Sequence, residues 1–355
     1  MTILFLILKN KKTKNINPEI SILLPTSGST GAPKLACISY ENLIINTGSI
    51  IEYLKIRKNS TTITSLSSSY SYGLSVINTH LFVGSKIVIN RFSFLDAKFW
   101  KLFKTNKVNI LYTVPLMCEI LFKNIKINDS LKQLKTLCCA GGHLDQKIKR
   151  KILISLRKKN IFMMYGQTEA SPRISYINIS KNKKQIDSIG KAIKGGKLFF
   201  KFKDKNLPSK KFPKEIFYKG KNVMLFYANS IKDLENKRSN NYILATGDLG
   251  YQDSKNFFYI TGRKNRIAKI NGVRIDLDLI DRDFKKENIV SVSFNEKIFL
   301  CSNKKINDKL RYKISKIYNI GVNNIKILNL NSFPLNTNGK LDYKKLIKLI
   351  KYGYK

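Results

Sequence analysis

Leu24-Pro25-Thr26-Ser27-Gly28-Ser29-Thr30-Gly31-Ala32-Pro33-Lys34 gathers hydroxyls, glycines, two prolines and a closing lysine into one short run. The apolar Ile22-Leu23-Leu24 leads into it, which predicts a loop hanging from the end of a buried strand. Backbone N–H groups, hydroxyls and one ammonium in such a loop can wrap a polyphosphate. The spacing differs from the G-x-x-x-x-G-K-[ST] phosphate loop, because Leu35 follows Lys34. A flexible surface loop has much the same composition. Other segments of the chain must decide between the two.

From Ser39 to Ile56 the pattern is helical, with Ser39 or Asn42 as cap and Leu43, Ile44, Ile50, Ile51 and Leu54 on one broad face. Strand-like and helix-like stretches then alternate. Thr61–Leu66, Lys86–Asn90, Asn109–Val114, Thr136–Ala140 and Ile161–Met164 read as strands. Leu74–Phe82, Asp96–Lys104, Pro115–Phe122 and Asp145–Lys158 read as helices. Alternation with short connections predicts an α/β fold, a parallel sheet with flanking helices. After about Ile174 short aromatic strands (KLFFKFK, EIFYKG, NFFYITG) predict a small antiparallel β subdomain. Beyond Gly262 mixed strands and helices predict a small α+β C-terminal domain. The expected division is 1–262 and 263–355.

With 66 Lys+Arg against 23 Asp+Glu, the 355-residue chain carries a formal charge of +43. The lysines are spread evenly and travel with Asn and Ile, so compositional bias accounts for most of them. That spread argues against a specific nucleic-acid surface, which needs clustered Lys/Arg with interleaved aromatics. Five cysteines without a C-x-x-C pair, and no secretory signal, predict a reducing, cytoplasmic setting. Two histidines exclude a histidine-rich metal site. The N-terminal MTILFLILKNKK is too short for a membrane span and reads as a core strand.

Further motifs follow strands, where open α/β sheets bind ligands. Ala140-Gly141-Gly142-His143 offers backbone without Cβ for a flat base, or a tight strand-to-helix turn. Tyr165-Gly166-Gln167-Thr168-Glu169 offers a ring for stacking, a hydroxyl for a phosphate and a carboxylate for Mg²⁺. Thr246-Gly247-Asp248 can place a carboxylate in a turn against ribose hydroxyls, or can be a plain hairpin turn. Arg263 has forked donors for ribose or phosphate oxygens, and the segment after it reads as a basic strand-turn-strand. In PLNTNGKL, Lys340 follows a turn and precedes a helix.

Taken in order, TSGSTGAPK, AGGH, YGQTE, TGD, GRKNRIAKINGVRI and PLNTNGKL resemble the adenylate-forming superfamily: acyl-CoA synthetases, peptide-synthetase adenylation domains and firefly-type luciferases. The resemblance runs from about Ile22 to the C-terminus and leans toward acyl-CoA synthetases. It implies an ATP- and Mg²⁺-dependent ligase that forms an acyl-adenylate, releases pyrophosphate and transfers the acyl group to coenzyme A or a carrier-protein phosphopantetheine. It further implies that Thr26, Ser27, Gly28, Ser29, Thr30, Gly31 and Lys34 hold the outer phosphates. Gly141, Gly142, His143, Tyr165, Gly166 and Gln167 would line the adenine, Thr168 the α-phosphate, and Asp248 and Arg263 the ribose. Glu169 would bind Mg²⁺, and Lys340, with Lys34, would carry the catalytic charge. Asn265 would be the hinge, and Lys269, Gly272 and Arg274 would face the site in the thiol step, within a mobile lid.

Acyl-pocket residues on the same basis are Tyr70–Leu74, His80, Ala140–Gly141 and Ala170–Arg173. Superfamily members carry a long β/α segment ahead of the phosphate loop, which here lies close to Met1. A split or decaying gene is the expectation, ahead of a misplaced start or a minimal enzyme. The partners implied are a carboxylic acid and either a carrier protein or a separately encoded N-terminal half. The competing function is a nucleotide-binding remnant that activates no acid.

Overall fold

Short apolar runs alternating with amphipathic stretches assemble, in the computed structural model of the chain, into a seven-stranded sheet with helices on both faces. The structure describes residues 16–26, 34–123, 131–201, 208–210, 212–237, 241–335 and 341–352. The expected N-terminal core strand, Ser27–Gly31 of the phosphate loop and Lys340 lie outside the described residues.

Strands β1 (Ile20–Pro25) and β2 (Leu35–Ser39) pair antiparallel on either side of the loop, Leu24 opposite Ala36. The chain then enters α1 (Tyr40–Leu54) through a reciprocal cap. Ser39 Oγ accepts from the Asn42 amide at 3.1 Å, and Asn42 Oδ1 accepts from the Ser39 amide at 3.0 Å. Next come β3 (Thr61–Ile63), α2 (Ser71–Phe82), β4 (Lys86–Val88), α3 (Ala97–Thr105) and β5 (Ile110–Thr113). They are followed by α4 (Pro115–Lys123), β6 (Thr136–Cys139), α5 (Gln146–Ser155) and β7 (Asn160–Gly166). Pro115 opens α4, where a missing N–H costs nothing. Sheet order is β4-β3-β5-β6-β7, all parallel. Strands β8 (Arg173–Asn178) and β9 (Lys191–Ala192) extend the edge antiparallel.

Successive strand residues go to opposite faces. Leu111, Leu137 and Ile161 pack with α3, α4 and α5; Tyr112, Cys138 and Phe162 pack with α1 and α2. Burial on both faces explains why these strands read as unbroken apolar runs. One detail of α1 differs from its apolar pattern. Ile44 is 57% exposed, whereas Asn42 and Asn46 are buried. The buried amides are satisfied by distant carbonyls: Asn42 donates to Lys221 at 2.6 Å and Asn46 to Arg173 at 2.9 Å. Fixed acceptors on neighbouring loops turned the helix by more than its apolar residues did.

Strands β10 (Lys197–Phe200), β11 (Lys214–Lys219), β13 (Ile243–Gln252) and β14 (Phe258–Arg263) form an antiparallel sheet, while β12 (Phe226–Ala228) joins β2. Thr246-Gly247-Asp248 lies inside β13 rather than in a hairpin turn. Gly247 takes φ +71° there, and its amide donates to Glu215 Oε1 at 3.2 Å instead of continuing the ladder. The irregularity aims Asp248 out of the sheet.

After Arg263 a hairpin of β15 (Ile267–Ile270) and β16 (Val273–Asp276) turns at Asn271-Gly272. It is followed by α6 (Leu277–Asp283), β17 (Ile289–Phe294), β18 (Lys297–Ser302), α7 (Asp308–Tyr318), β19 (Ile325–Asn329) and α8 (Tyr343–Tyr352). This α+β segment has its own apolar cluster, including Ala268, Ile280, Leu300 and Ile314. Arg266 sits inside it, 7% exposed, paired with Asp278 at 2.8 Å and with Asp281, and lies 4.4 Å from the Tyr343 ring centroid. Among the described residues no helix is long and apolar enough to cross a membrane. All five cysteines are buried free thiols.

Candidate active site

Four of the expected residues meet at the carboxyl end of β7. Asp248, 2% exposed, accepts from the Tyr165 hydroxyl and from Gln167 Nε2 at 3.0 Å through one oxygen. Its other oxygen accepts from Arg263 Nε at 2.9 Å. Gln167 Nε2 also reaches the Thr246 carbonyl at 2.8 Å, tying β7 to β13. Burial and the adjoining Asp248 charge push the Tyr165 phenol well above its ordinary value, so it remains a donor at neutral pH. Arg263 is held through its backbone as well, donating to Asp278 at 3.1 Å.

The bend after β7 demands a glycine. A Cβ on Gly166 would come 2.1 Å from the Pro172 carbonyl oxygen. Two buried amides hold the far side of this bend. Asn46 and Asn222 both donate to the carbonyls of Ala170 and Arg173, at 2.6 to 3.2 Å. Tyr218 donates to Asn222 Oδ1 at 2.7 Å. Asn222→Ala therefore orphans the buried Tyr218 hydroxyl and thins the support of both carbonyls. The expected loss is about 2–3 kcal/mol of unfolding free energy, read by urea denaturation. A loss below about 0.5 kcal/mol would show that Asn46 alone suffices.

The bend presents Thr168 and Glu169. Thr168 Oγ1 lies 3.2 Å from Ser71 Oγ at the start of α2. Tyr227 on β12 donates to Glu169 Oε1 at 2.7 Å, and Lys34 Nζ lies 5.4 Å from the Tyr227 ring centroid. Thr26 donates through N and Oγ1 to the Lys34 carbonyl at 2.9 and 3.1 Å, closing the base of the connection between β1 and β2. Lys34 and Glu169 are thereby joined through one ring that the motifs alone did not mark. Among the described residues no group of three His, Cys, Asp or Glu could hold a metal. A single carboxylate suits Mg²⁺, which keeps waters and takes its other oxygens from phosphates.

Gly141, Gly142 and His143 follow β6 on the surface, beside Val114 and Pro115 and just before the Asp145 cap of α5. Asn265 is exposed in the short turn after β14. Lys269 and Gly272 are exposed in the β15–β16 hairpin. Arg274 is placed by its backbone in β16. Tyr227, Asn46 and Asn222 were not anticipated, whereas Ser71 falls within the expected acyl-pocket span Tyr70–Leu74. Two asparagines four apart on α1 were the one available hint, since polar residues at that spacing share a helix face.

A family model described as AMP-binding enzyme matches residues 7–228. The probable 4-coumarate–CoA ligase 2 of Dictyostelium discoideum is 28% identical over 74% of the chain, which spans 48% of that relative. The D-alanine–D-alanyl carrier protein ligase of Lactococcus lactis is 25% identical over 92% of the chain and 70% of its own length. The chain thus spans about half the length of the first of these relatives. In fold, it superposes on Bacillus subtilis o-succinylbenzoate coenzyme A synthetase in complex with its acyl-adenylate with a TM-score of 0.77, at 21% identity, covering 93% of this chain and 70% of that one. ATP-bound MatB from Rhodopseudomonas palustris gives 0.76 at 19% identity, covering 95% and 69%. With that family model matched over more than half of its length, the chain belongs to the AMP-binding enzyme family.

Proposed function

We propose that the chain activates a carboxylic acid on ATP and then passes the acyl group to a thiol, that of coenzyme A or of a carrier-protein phosphopantetheine. In the first step a carboxylate oxygen bonds to the α-phosphorus, the bond to the bridging oxygen breaks, and pyrophosphate leaves. The observation that carries this reading is the convergence of Thr26, Lys34, Thr168, Glu169, Asp248 and Arg263 on the carboxyl end of β7.

Each residue has a task that fits its chemistry. The loop Thr26–Gly31 with Lys34 holds the leaving phosphates, and Gly141–His143 with Tyr165–Gln167 border the base. Asp248 accepts the ribose hydroxyls while Arg263 donates to ribose or phosphate oxygens. Mg²⁺, held by Glu169, would offset charge between phosphate oxygens. Lys340 supplies the charge that bridges the two approaching anions, which need electrostatic stabilisation and no general base. Residues 263–355 form the lid, turning about Asn265, so that Lys269, Gly272 and Arg274 face the site in the thiol step.

Mass-spectrometric detection of acyl-AMP, after incubation with ATP, Mg²⁺ and a library of carboxylic acids, tests the first step. ATP binding with no acyl-AMP from any acid would instead mark a nucleotide-binding remnant. Lys340→Ala is expected to lose carboxylate-dependent ATP–pyrophosphate exchange by about 100-fold or more while ATP still binds. Exchange at the unmodified level removes Lys340 from the mechanism.

A further inference from the structure

Beneath α2, on the same face of the sheet as Tyr112 and Cys138, four polar groups are buried without partners. They are Tyr72 Oη, Tyr112 Oη, His80 Nε2 and Arg173 Nε. They adjoin one another. The Arg173 guanidinium carbon lies 5.1 Å from the Tyr72 ring centroid, Tyr72 lies 6.3 Å edge-on to Tyr112, and Tyr112 lies 5.7 Å edge-on to His80. Arg173 is 2% exposed, and among the described residues no carboxylate pairs with it. The Tyr72 ring and the nearby Tyr53 phenol soften this charge without neutralising it. Leaving a cation in the interior without an anion costs several kcal/mol, and orphaned hydroxyls add to that. Core packing alone gives no reason to gather such groups in one place.

Their location relative to the reaction centre is fixed by neighbours. Ser71, which touches Thr168, immediately precedes Tyr72. Arg173 begins β8 directly after the bend that carries Thr168 and Glu169. An acid whose reacting carboxylate sits at Thr168 therefore points its far end at Tyr72 and Arg173. A cavity of about 10 Å³ bordered by Gly73, Val76 and Tyr112 meets the cluster at Tyr112 and has room for about one water, so an acid reaching Arg173 displaces side chains around it.

Resting on the acid-activating function proposed above, we infer that the acid carries a second anionic group, a carboxylate at the far end of a short chain, received by Arg173 with the Tyr72 and Tyr112 hydroxyls. A guanidinium pairs a carboxylate through two parallel donors, and both phenols can donate to the same oxygens. His80 stays neutral: burial holds its pKa down at about 4, and Nδ1 faces the Val76 carbonyl at 3.0 Å. It thus adds no competing charge.

The test compares malonate, succinate and glutarate with propionate, butyrate and valerate, the monoacids of equal length, on the full chain. Thermal melting in the presence of AMP reads binding, and acyl-AMP formation reads activity. The diacids are expected to raise the melting temperature where the monoacids do not, and to exceed them about 100-fold or more in kcat/KM. Arg173→Met removes both differences. It replaces an unpaired buried charge by an apolar chain of similar length, so the free variant is expected to melt at least as high as the parent. Tyr72→Phe keeps the ring under the guanidinium, loses one donor and reduces the diacid preference about 10-fold. Equal shifts by mono- and diacids, or a diacid preference that survives Arg173→Met, overturn the inference. A diacid shift without any acyl-AMP supports the anion site and removes the acid-activating function instead.

Discussion

Arg266→Ala lowers the unfolding free energy of the C-terminal α+β segment by about 3–5 kcal/mol at neutral pH. The guanidinium is almost fully enclosed and serves Asp278, Asp281 and the Ser291 carbonyl, with Tyr343 across its face. Removing it strands two carboxylates. Asp281 is already held up at about 6, because burial outweighs the attraction of Arg266. Between about pH 4 and pH 6 the folded segment therefore holds a proton that the unfolded chain has released. That proton favours folding at the acid end, and the benefit is lost as pH rises through 6. Without Arg266 the folded-state pKa climbs further, so the deficit of the variant is widest near pH 7.5 and narrows toward pH 5. Urea melts at the two pH values, followed by tyrosine fluorescence, measure this. A deficit under about 1 kcal/mol at pH 7.5, or one that does not change with pH, would be incompatible with an enclosed, charge-dependent pair.

Asp248→Asn is expected to weaken ATP and AMP binding about 100-fold or more, with calorimetric titration as the measurement. Tyr165, Gln167 and Arg263 all present donors to this carboxylate. An amide offers only one acceptor oxygen and turns an N–H₂ toward the donors that remain. A charge-assisted bond from a ribose hydroxyl to this carboxylate, when lost, costs about 1.5–3 kcal/mol of binding, enough for the stated change. Separately, the free protein loses about 2 kcal/mol of stability with the orphaned donors. Affinity within fivefold of the parent, in a variant that melts cooperatively, would place the ribose elsewhere.

The parallel sheet was legible because period and burial agree: Ile110–Thr113 and Thr136–Cys139 are apolar on both faces and end at short turns. Motifs at strand ends were legible for a similar reason, since backbone geometry places them there whatever the rest of the chain does. Tyr227 was not, because β12 meets Glu169 only after pairing with a strand formed far earlier in the chain. Asn46 reads as a surface residue until the Ala170 and Arg173 carbonyls arrive. The Thr-Gly-Asp segment reads as a turn, and only its pairing with β11 and β14 makes it a strand. Arg173 is expected at the acyl pocket, but nothing in the local sequence marks it as a fully buried cation. Its burial depends on three elements that local sequence cannot bring together: α1, α2 and the bend after β7.

All five thiols are enclosed, and burial pushes those of Cys37 and Cys301 up to about 12. With all five buried, the native chain is expected to label slowly with maleimides at neutral pH. A cysteine introduced at the 67% exposed Tyr40, or at any comparable surface position, becomes the sole attachment point for a fluorophore without first deleting the natural ones. Pairs of such labels, one ahead of Asn265 and one beyond it, would report as a distance whether residues 263–355 move against the rest of the chain when ATP is added.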